Sequence, residues 1–290
     1  MHTMQEKSLL ITGGSGMLAG RLSVSFAEAG WDVHPIGHGE MDITSEQEVF
    51  ECIRAIRPTA VVNTAALLVE PCEADPKEAF RVNAWGVRNL ALACDRLGTQ
   101  LVQISTSGLF GDEVRPYDEF TPVVNKTRYA ASKHAGENYA RELCEKHIVL
   151  RLGWLYGGGL DGRKDFVTAR LAEARNTAVL ASAGDKFGCP TNADDVARTM
   201  RALLDEQIYG LFHCANTADE PCARADYVAA ICEFAGLKTT VERTDSSGFP
   251  RAANVPDCEW LTSYTLEYAG LAPMPHWRES LQRYMSLLGK

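Results

Sequence analysis

The sequence predicts a doubly wound α/β fold with a smaller, interleaved C-terminal region. Two observations predict the sheet. Short apolar runs alternate with helix-length amphipathic segments through the first half of the chain, and the first such run leads straight into a glycine-rich turn. A third observation marks the second region: after about residue 151 the alternation gives way to glycine clusters and longer loops.

The elements follow in order. "SLLIT" reads as the first strand, "MLAGRLSVSFAEAG" as a helix ending at Gly30, and "DVHPIG" as the second strand. In "SEQEVFECIRAIRP", Ser45 is placed as an N-cap and Glu48 completes an S-x-x-E capping box. "AVVNTAA" is strand three, and "PKEAFRVNAWGVRNLALACDRLG" is one long helix stopped by Gly98. "QLVQIST" is strand four, residues 128–145 a helix, and "HIVLRLG" strand five. Apolar strands separated by helices imply a parallel sheet covered on both faces. Further on come a helix at 166–175, a loop "ASAGDKFGCPTNADD", and a helix "VARTMRALLDE" capped by Asp194 or Asp195. A strand "YGLFHCA", a helix "RADYVAAICEFAG" and a terminal helix at 277–288 complete the chain. The expected division is 1–151 for the sheet domain, with about 190–215 returning to it, and 152–290 mainly for substrate binding.

Composition narrows the function. The 290 residues are 46% hydrophobic and 23% charged, with a formal charge of −9. Such a surface argues against nonspecific nucleic-acid binding, although backbone amides at a helix start can still hold a phosphate. The nine cysteines are scattered and form no C-x-x-C, so neither a metal site nor a redox pair is expected. They read as small buried hydrophobes. No leader pattern and no apolar run long enough for a membrane span is present, which gives the expectation of a reduced, cytoplasmic protein without a membrane partner.

The glycine-rich turn is "TGGSGMLAG", with Gly13, Gly14, Ser15, Gly16, Met17 and Leu18 ahead of Ala19. Glycine is needed where a dinucleotide pyrophosphate approaches backbone N–H groups at a helix start, and Ala19 still lets helix and strand pack closely. A purely structural tight turn is the competing reading. The end of strand two carries Gly37 and His38 where an NAD site would have an acid. A 2′-phosphate would not be repelled there, so NADPH is favoured with NADH as the alternative. His38 either helps hold that phosphate or is a solvent-exposed loop residue.

Tyr129 and Lys133 stand four apart on one helical face. Alone, that spacing also fits an ordinary surface pair. Strand four, however, ends in "ISTSGLF", which puts Ser105, Thr106 and Ser107 at the carboxyl edge of the sheet, where ligands of such folds bind. A carbonyl reductase needs a hydride donor, a proton donor and a polariser of the C=O. NADPH, Tyr129 and Thr106 fill these roles in turn. At ~5 Å and an effective dielectric near 20, a lysine charge stabilises a tyrosinate by about 3 kcal/mol. That would lower the phenol pKa by roughly two units from about 10.

These motifs, with N-T-A-A at residues 63–66 and V-N at Val82 and Asn83, resemble an extended short-chain dehydrogenase/reductase with a Rossmann-like sheet. With "MDIT", "YAASKHAGE", "RLGWLYG", "GCPTNADDVA" and "HWRESLQRYM", the chain is similar to the dTDP-4-dehydrorhamnose reductase family along almost its whole length. The resemblance implies NADPH- or NADH-dependent reduction of the 4-keto group of a nucleotide-activated 6-deoxyhexose, dTDP-4-dehydro-L-rhamnose giving dTDP-L-rhamnose, often in a homodimer. It also implies roles: Thr106, Tyr129 and Lys133 in catalysis; Asp42 and Ile43 near the adenine; Ala65, Ala66 and Asn83 beside the cofactor. Arg151, Trp154, Tyr156, Pro190 and Thr191 fall near the sugar nucleotide, Trp154 and Tyr156 being readable equally as core aromatics. The family's S-T-D-Y-V-F is here Ser105-Thr106-Ser107-Gly108-Leu109-Phe110, a departure that touches the substrate pocket at Ser107. Some members use magnesium through an acid in the first helix, near Arg21 here, and no metal is expected. The family also holds a non-catalytic member, the regulatory β subunit of methionine adenosyltransferase. That leaves a cofactor-binding regulatory subunit, or a ketoreductase or epimerase of another sugar nucleotide, as alternatives.

Overall fold

The computed structural model of the chain describes residues 7–249 and 252–289. Walking along it, β1 (Ser8–Thr12), α1 (Met17–Glu28), β2 (Asp32–Ile36), α2 (Glu46–Ile56) and β3 (Ala60–Asn63) come first. They are followed by α3 (Val69–Ala74), α4 (Pro76–Phe80), α5 (Gly86–Leu97), β4 (Gln100–Thr106), α6 (Arg128–Leu143) and β5 (His147–Leu152). β1, β3 and β4 are buried along nearly their whole length, as near-continuous apolar runs should be in a sheet covered on both faces. β1 pairs in parallel with β2 and with β3, and β3 in parallel with β4.

The second half adds β6 (Trp154–Tyr156), α7 (Phe166–Ala174), β7 (Val179–Ala183), β8 (Phe187–Gly188) and β9 (Pro190–Asn192). Then come α8 (Ala193–Asp205), β10 (Gly210–Cys214), β11 (Cys222–Ala223), α9 (Arg224–Phe234), β12 (Thr240–Thr244), β13 (Cys258–Glu259), α10 (Thr265–Tyr268) and α11 (Trp277–Leu288). The main sheet has six strands in the order β10-β5-β4-β3-β1-β2, the doubly wound arrangement expected.

The chain groups into two compact units. The first holds the residues up to Ser105 with Thr127–Leu150 and Ala197–Phe212; the second holds Thr106–Lys126, Arg151–Val196 and the residues from His213 onward. In the first, α2 and α5 bury Val49, Ile53, Leu90 and Cys94 with Leu10, Val61 and Leu101 of the sheet. In the second, the core is aromatic: Tyr156, Tyr227, Trp277 and Tyr284 pack with Val167 and Leu281. The small sheets of this unit are β11-β8-β13, β12-β7 and β6-β9.

Four local expectations need correction. The helix predicted over 76–98 is three pieces, with a π-helical turn, Arg81–Trp85, between α4 and α5. The Asn83 side chain in that turn bonds the backbone N–H and C=O of Leu67 at 2.8 and 3.0 Å and Ser132 Oγ at 3.0 Å. The wide turn also brings the Asn83 carbonyl against Gly136 of α6, where a Cβ would lie 2.3 Å from it. Ser45 does cap α2, accepting from the Glu48 N–H, but Glu48 reaches past it to the Asp42 N–H at 2.9 Å, so only half of the predicted box forms. α8 is capped by Asn192, which accepts from the Asp194 N–H at 2.9 Å and the Asp195 N–H at 3.4 Å. Asp195 is buried instead, bonded to Asn216, Ser280 and Arg283. α6 ends at Leu143, two residues before the predicted stop at 145.

The contact at Gly136 leaves no room for a methyl group against backbone. Gly136→Ala is expected to destabilise the protein by about 1–3 kcal/mol or more, read as a lower urea midpoint at unchanged slope. An unaltered midpoint would mean that α6 does not approach the π-turn this closely.

Candidate active site

The glycine-rich turn is built so that side chains are excluded. Gly13 has φ +66°, and a Cβ there would lie 2.9 Å from the Ala65 nitrogen; at Gly14 it would lie 2.9 Å from the Pro35 carbonyl carbon. Gly14 N–H donates to Ile36 O at 3.0 Å and Gly16 N–H to Gly13 O at 2.8 Å, which closes the turn. Gly16 then starts α1 without any side-chain cap, so the first-turn N–H groups of this 12-residue helix are left to an outside acceptor. An exposed Ser15 and partly exposed Met17 stand there, with Leu18 buried behind them. The Ala65 N–H donates to Thr12 Oγ1 at 3.3 Å, placing Ala65 and its neighbour Ala66 beside the turn. This uncapped, side-chain-free helix start fits a dinucleotide pyrophosphate.

Around the end of β2 the structure adds something that position counting missed. Glu40 folds back and accepts the Gly37 N–H at 2.9 Å, so a carboxylate is present at this turn after all. His38 is 82% exposed in its side chain and 3.9 Å from Asp42. Asp42 accepts from the Thr44 N–H and hydroxyl, both at 2.9 Å. Burial raises its carboxyl, but these bonds, with His38 and Arg81, outweigh burial and hold it below the usual carboxylate range. Ile43 is buried against Gly86, and Asn83 is engaged by the loop and helix contacts described above.

Lys133 is a buried charge of the first unit. It is 3% exposed, and its Nζ donates to the Ile104 carbonyl at 2.6 Å. That carbonyl also accepts the Gln103 amide at 2.7 Å. One turn on, the fully buried Glu137 accepts from Ser105 Oγ. Tyr129, half-buried, begins the same helix, with Thr127 as its N-cap. Successive residues of β4 thus hold Lys133 and Glu137, and through them the helix face that Tyr129 shares.

In the second unit, Thr106 Oγ1 accepts the Gly108 N–H at 3.0 Å, starting a short 3-10 turn. Ser107 is 1% exposed and donates to Glu259 Oε2 at 2.6 Å. Arg151 is buried over the Phe110 ring, 3.4 Å from His213 Nε2. Burial lowers His213 to about 4, so it is neutral, and its Nδ1 lies 2.9 Å from the Thr262 carbonyl. A cavity of about 730 Å³ opens in this unit, lined by Trp154, Phe166, Arg170, Lys186, Arg224 and Glu259 among others. The Arg224 guanidinium stacks on the Trp154 ring, 3.4 Å from its centroid. Of the other predicted substrate residues, Tyr156 lies within the aromatic core, and Pro190 and Thr191 are buried in β9 beside β6.

A family model described as RmlD substrate binding domain matches residues 7–289. The chain belongs to the RmlD substrate binding domain family. Among its relatives, the spore coat polysaccharide biosynthesis protein SpsK of Bacillus subtilis is 31% identical over 96% of both chains. A dTDP-4-dehydrorhamnose reductase of Mycobacterium tuberculosis is 32% identical over 96% of this chain and 92% of its own. The crystal structure of a dTDP-4-dehydrorhamnose reductase from Bacillus anthracis in complex with NADP superposes with a TM-score of 0.92 at 30% identity, covering 97% of this chain and 99% of that one.

Within this RmlD-family chain, sequence reading missed Glu259, Lys186 and Arg224 of the cavity and Glu40 and Glu137 of the sheet domain. Glu137 carried a faint signal, an acid one turn beyond Lys133 on the same helix face. Glu40 is placed by a local fold-back onto Gly37, and the cavity residues are brought in by tertiary contacts.

Burial pulls the Lys133 ammonium down from 10.5 to about 8, with Glu137 and Cys72 opposing. Between those values the unfolded chain holds more protons than the folded one, so this group makes stability rise with pH, by up to ~1.4 kcal/mol per unit. Unfolding free energies of wild type and Lys133→Met, compared from about pH 7.5 to 10.5, are expected to diverge in favour of wild type as pH rises. A difference that stays flat would show that Lys133 titrates as an ordinary lysine.

Proposed function

We propose that this protein reduces the 4-keto group of a nucleotide-activated 6-deoxyhexose with NADPH, converting dTDP-4-dehydro-L-rhamnose to dTDP-L-rhamnose. The observation that carries the reading is the buried Lys133 ammonium, anchored on the Ile104 carbonyl and sharing a helix face with Tyr129. The M. tuberculosis and B. anthracis relatives bear the name of that activity, and the latter was solved with NADP.

In this reading Gly13, Ser15, Gly16, Met17 and Leu18 hold the pyrophosphate, with Ala65 and Ala66 alongside. Bound NADPH supplies the hydride. Tyr129 gives its hydroxyl proton to the oxygen that becomes the new alcohol. Lys133, still mostly protonated at neutral pH, stabilises the tyrosinate left behind. The Thr106 hydroxyl donates a hydrogen bond to the ketone oxygen. Arg170, Lys186 and Arg224, the last stacked on the Trp154 ring, line the cavity and suit the two anionic groups of a nucleoside diphosphate. The first unit is accordingly assigned to the cofactor and the second to the sugar nucleotide.

A cytoplasmic homodimer completes the proposal. All nine cysteines are free thiols, as in a reducing compartment, and no helix among the described residues is long and apolar enough to cross a membrane. Phe80 and Trp85 are exposed on one stretch of the first unit, Trp85 edge-on to Tyr139, and support a self-association surface.

Tyr129→Phe is expected to lower kcat for dTDP-4-dehydro-L-rhamnose by about 10²–10⁴, with NADPH affinity nearly unchanged. Stopped-flow oxidation of NADPH and fluorescence titration measure the two. Wild type that binds NADPH yet turns over no 4-keto sugar nucleotide would sink the enzymatic reading and leave a cofactor-binding regulatory protein. A fully active Tyr129→Phe would remove Tyr129 as the proton donor.

A further inference from the structure

Glu259 is the feature that the reductase reading leaves unused. It ends β13, where it pairs with Gly188 of β8, and the Trp154 ring lies against that same glycine, 2.3 Å from where a Cβ would be. The acid therefore lines the cavity beside the aromatic face. Its Oε2 receives the buried Ser107 hydroxyl at 2.6 Å, which fixes the carboxylate's direction. Among the described residues its Oε1 makes no hydrogen bond.

A carboxylate only accepts hydrogen bonds, so in this cavity it turns away phosphate and recruits a group with O–H or N–H donors. Its position says which part of the ligand that is. A Cβ at Gly108 would stand 3.3 Å from Thr106 Oγ1 and 3.9 Å from Glu259 Oε2, so the acid and the threonine flank one residue that has no side chain. The acid is thus beside the hydroxyl assigned to the ketone, in a cavity that Arg170, Lys186 and Arg224 also line.

From this we infer that Glu259 is a specificity-determining residue that accepts a hydrogen bond from a ring hydroxyl of the hexose, and that Ser107 is a positioning residue acting through it. The inference rests on the reductase reading given above. It assigns sugar choice to a carboxylate from the distant β13 and not to the serine that borders Thr106.

Steady-state kinetics with dTDP-4-dehydro-L-rhamnose and NADPH test it, with dTDP as a competitive inhibitor reporting the nucleotide end separately. Glu259→Ala is expected to raise KM for the sugar nucleotide roughly 10- to 100-fold, with the dTDP inhibition constant unmoved. The isosteric Glu259→Gln, the safer variant for folding, should raise it less. Ser107→Ala should raise KM while leaving kcat nearly intact, and adding it to Glu259→Ala should cost nothing more, because the serine acts only through the acid. An unchanged KM in both Glu259 variants overturns the inference. So does a dTDP constant that weakens in parallel with KM, since Glu259 would then serve the nucleotide. Wild type without any turnover defeats the reductase reading itself, and the inference falls with it; active wild type with indifferent variants defeats the inference alone.

Discussion

A line of buried hydrogen bonds crosses the sheet of the first unit, and most of its site depends on it. Thr12 donates to Asn63 at 2.6 Å, Asn63 to Gln103 at 2.8 Å, and Gln103 to the Ile104 carbonyl at 2.7 Å, where Lys133 also arrives. These side chains are buried in the middle of an apolar sheet, where an unpaired amide would cost about 1–3 kcal/mol. Each is therefore obliged to find its neighbour, and the result is a rigid tie between the strand that opens the glycine-rich turn and the helix that carries Tyr129. Thr12 anchors the turn at two points, accepting the Ala65 N–H on its hydroxyl and the Thr64 hydroxyl on its carbonyl. The cofactor cradle and the ammonium are held by one network, so a change at Asn63 or Gln103 would reach both.

The same obligation explains the second unit. Glu119 is nearly buried and takes four hydrogen bonds, from the His213 and Tyr264 N–H groups and the Ser263 and Thr265 hydroxyls. Asp195 is likewise buried at the start of α8 and satisfied by Asn216, Ser280 and Arg283. Both acids stitch segments far apart in sequence into one body. These bonds all run to the unit's own framework, which marks both acids as structural. Glu259 differs from them in this respect, with one bond to the framework and a place on the cavity wall.

What could be read in the sequence divides along the range of the interactions. The parallel sheet covered on both faces was legible because apolar runs such as Ala60–Asn63 have no solvent-facing side, which their composition states locally. The shared helix face of Tyr129 and Lys133 was legible because a spacing of four on a helix fixes it. The π-turn at Arg81–Trp85 was not, since it goes with the contact of Asn83 with Gly136, 53 residues on and visible only once the helices are packed. The Asn192 cap was hidden by two better-known capping residues just after it, one of which is required elsewhere. Glu40 escaped a reading that looked for an acid at a fixed place and not for one that folds back onto Gly37.

The departure at Ser107 and Gly108 looks different with the packing in view. Read along the chain, an acid and an aromatic have been lost from the family's pattern, and the substrate pocket should be emptier. In the folded second unit an acid stands there nonetheless, supplied by Glu259 from 152 residues away and steered by the serine that replaced the expected acid. An aspartate at 107 would confront that carboxylate at hydrogen-bonding distance, a repulsion that serine turns into an attraction. Glycine at 108 keeps the space next to both Thr106 and the acid clear. Ser107, Gly108 and Glu259 therefore act as one unit, in which β13 supplies the acid, the serine aims it and the glycine leaves it room.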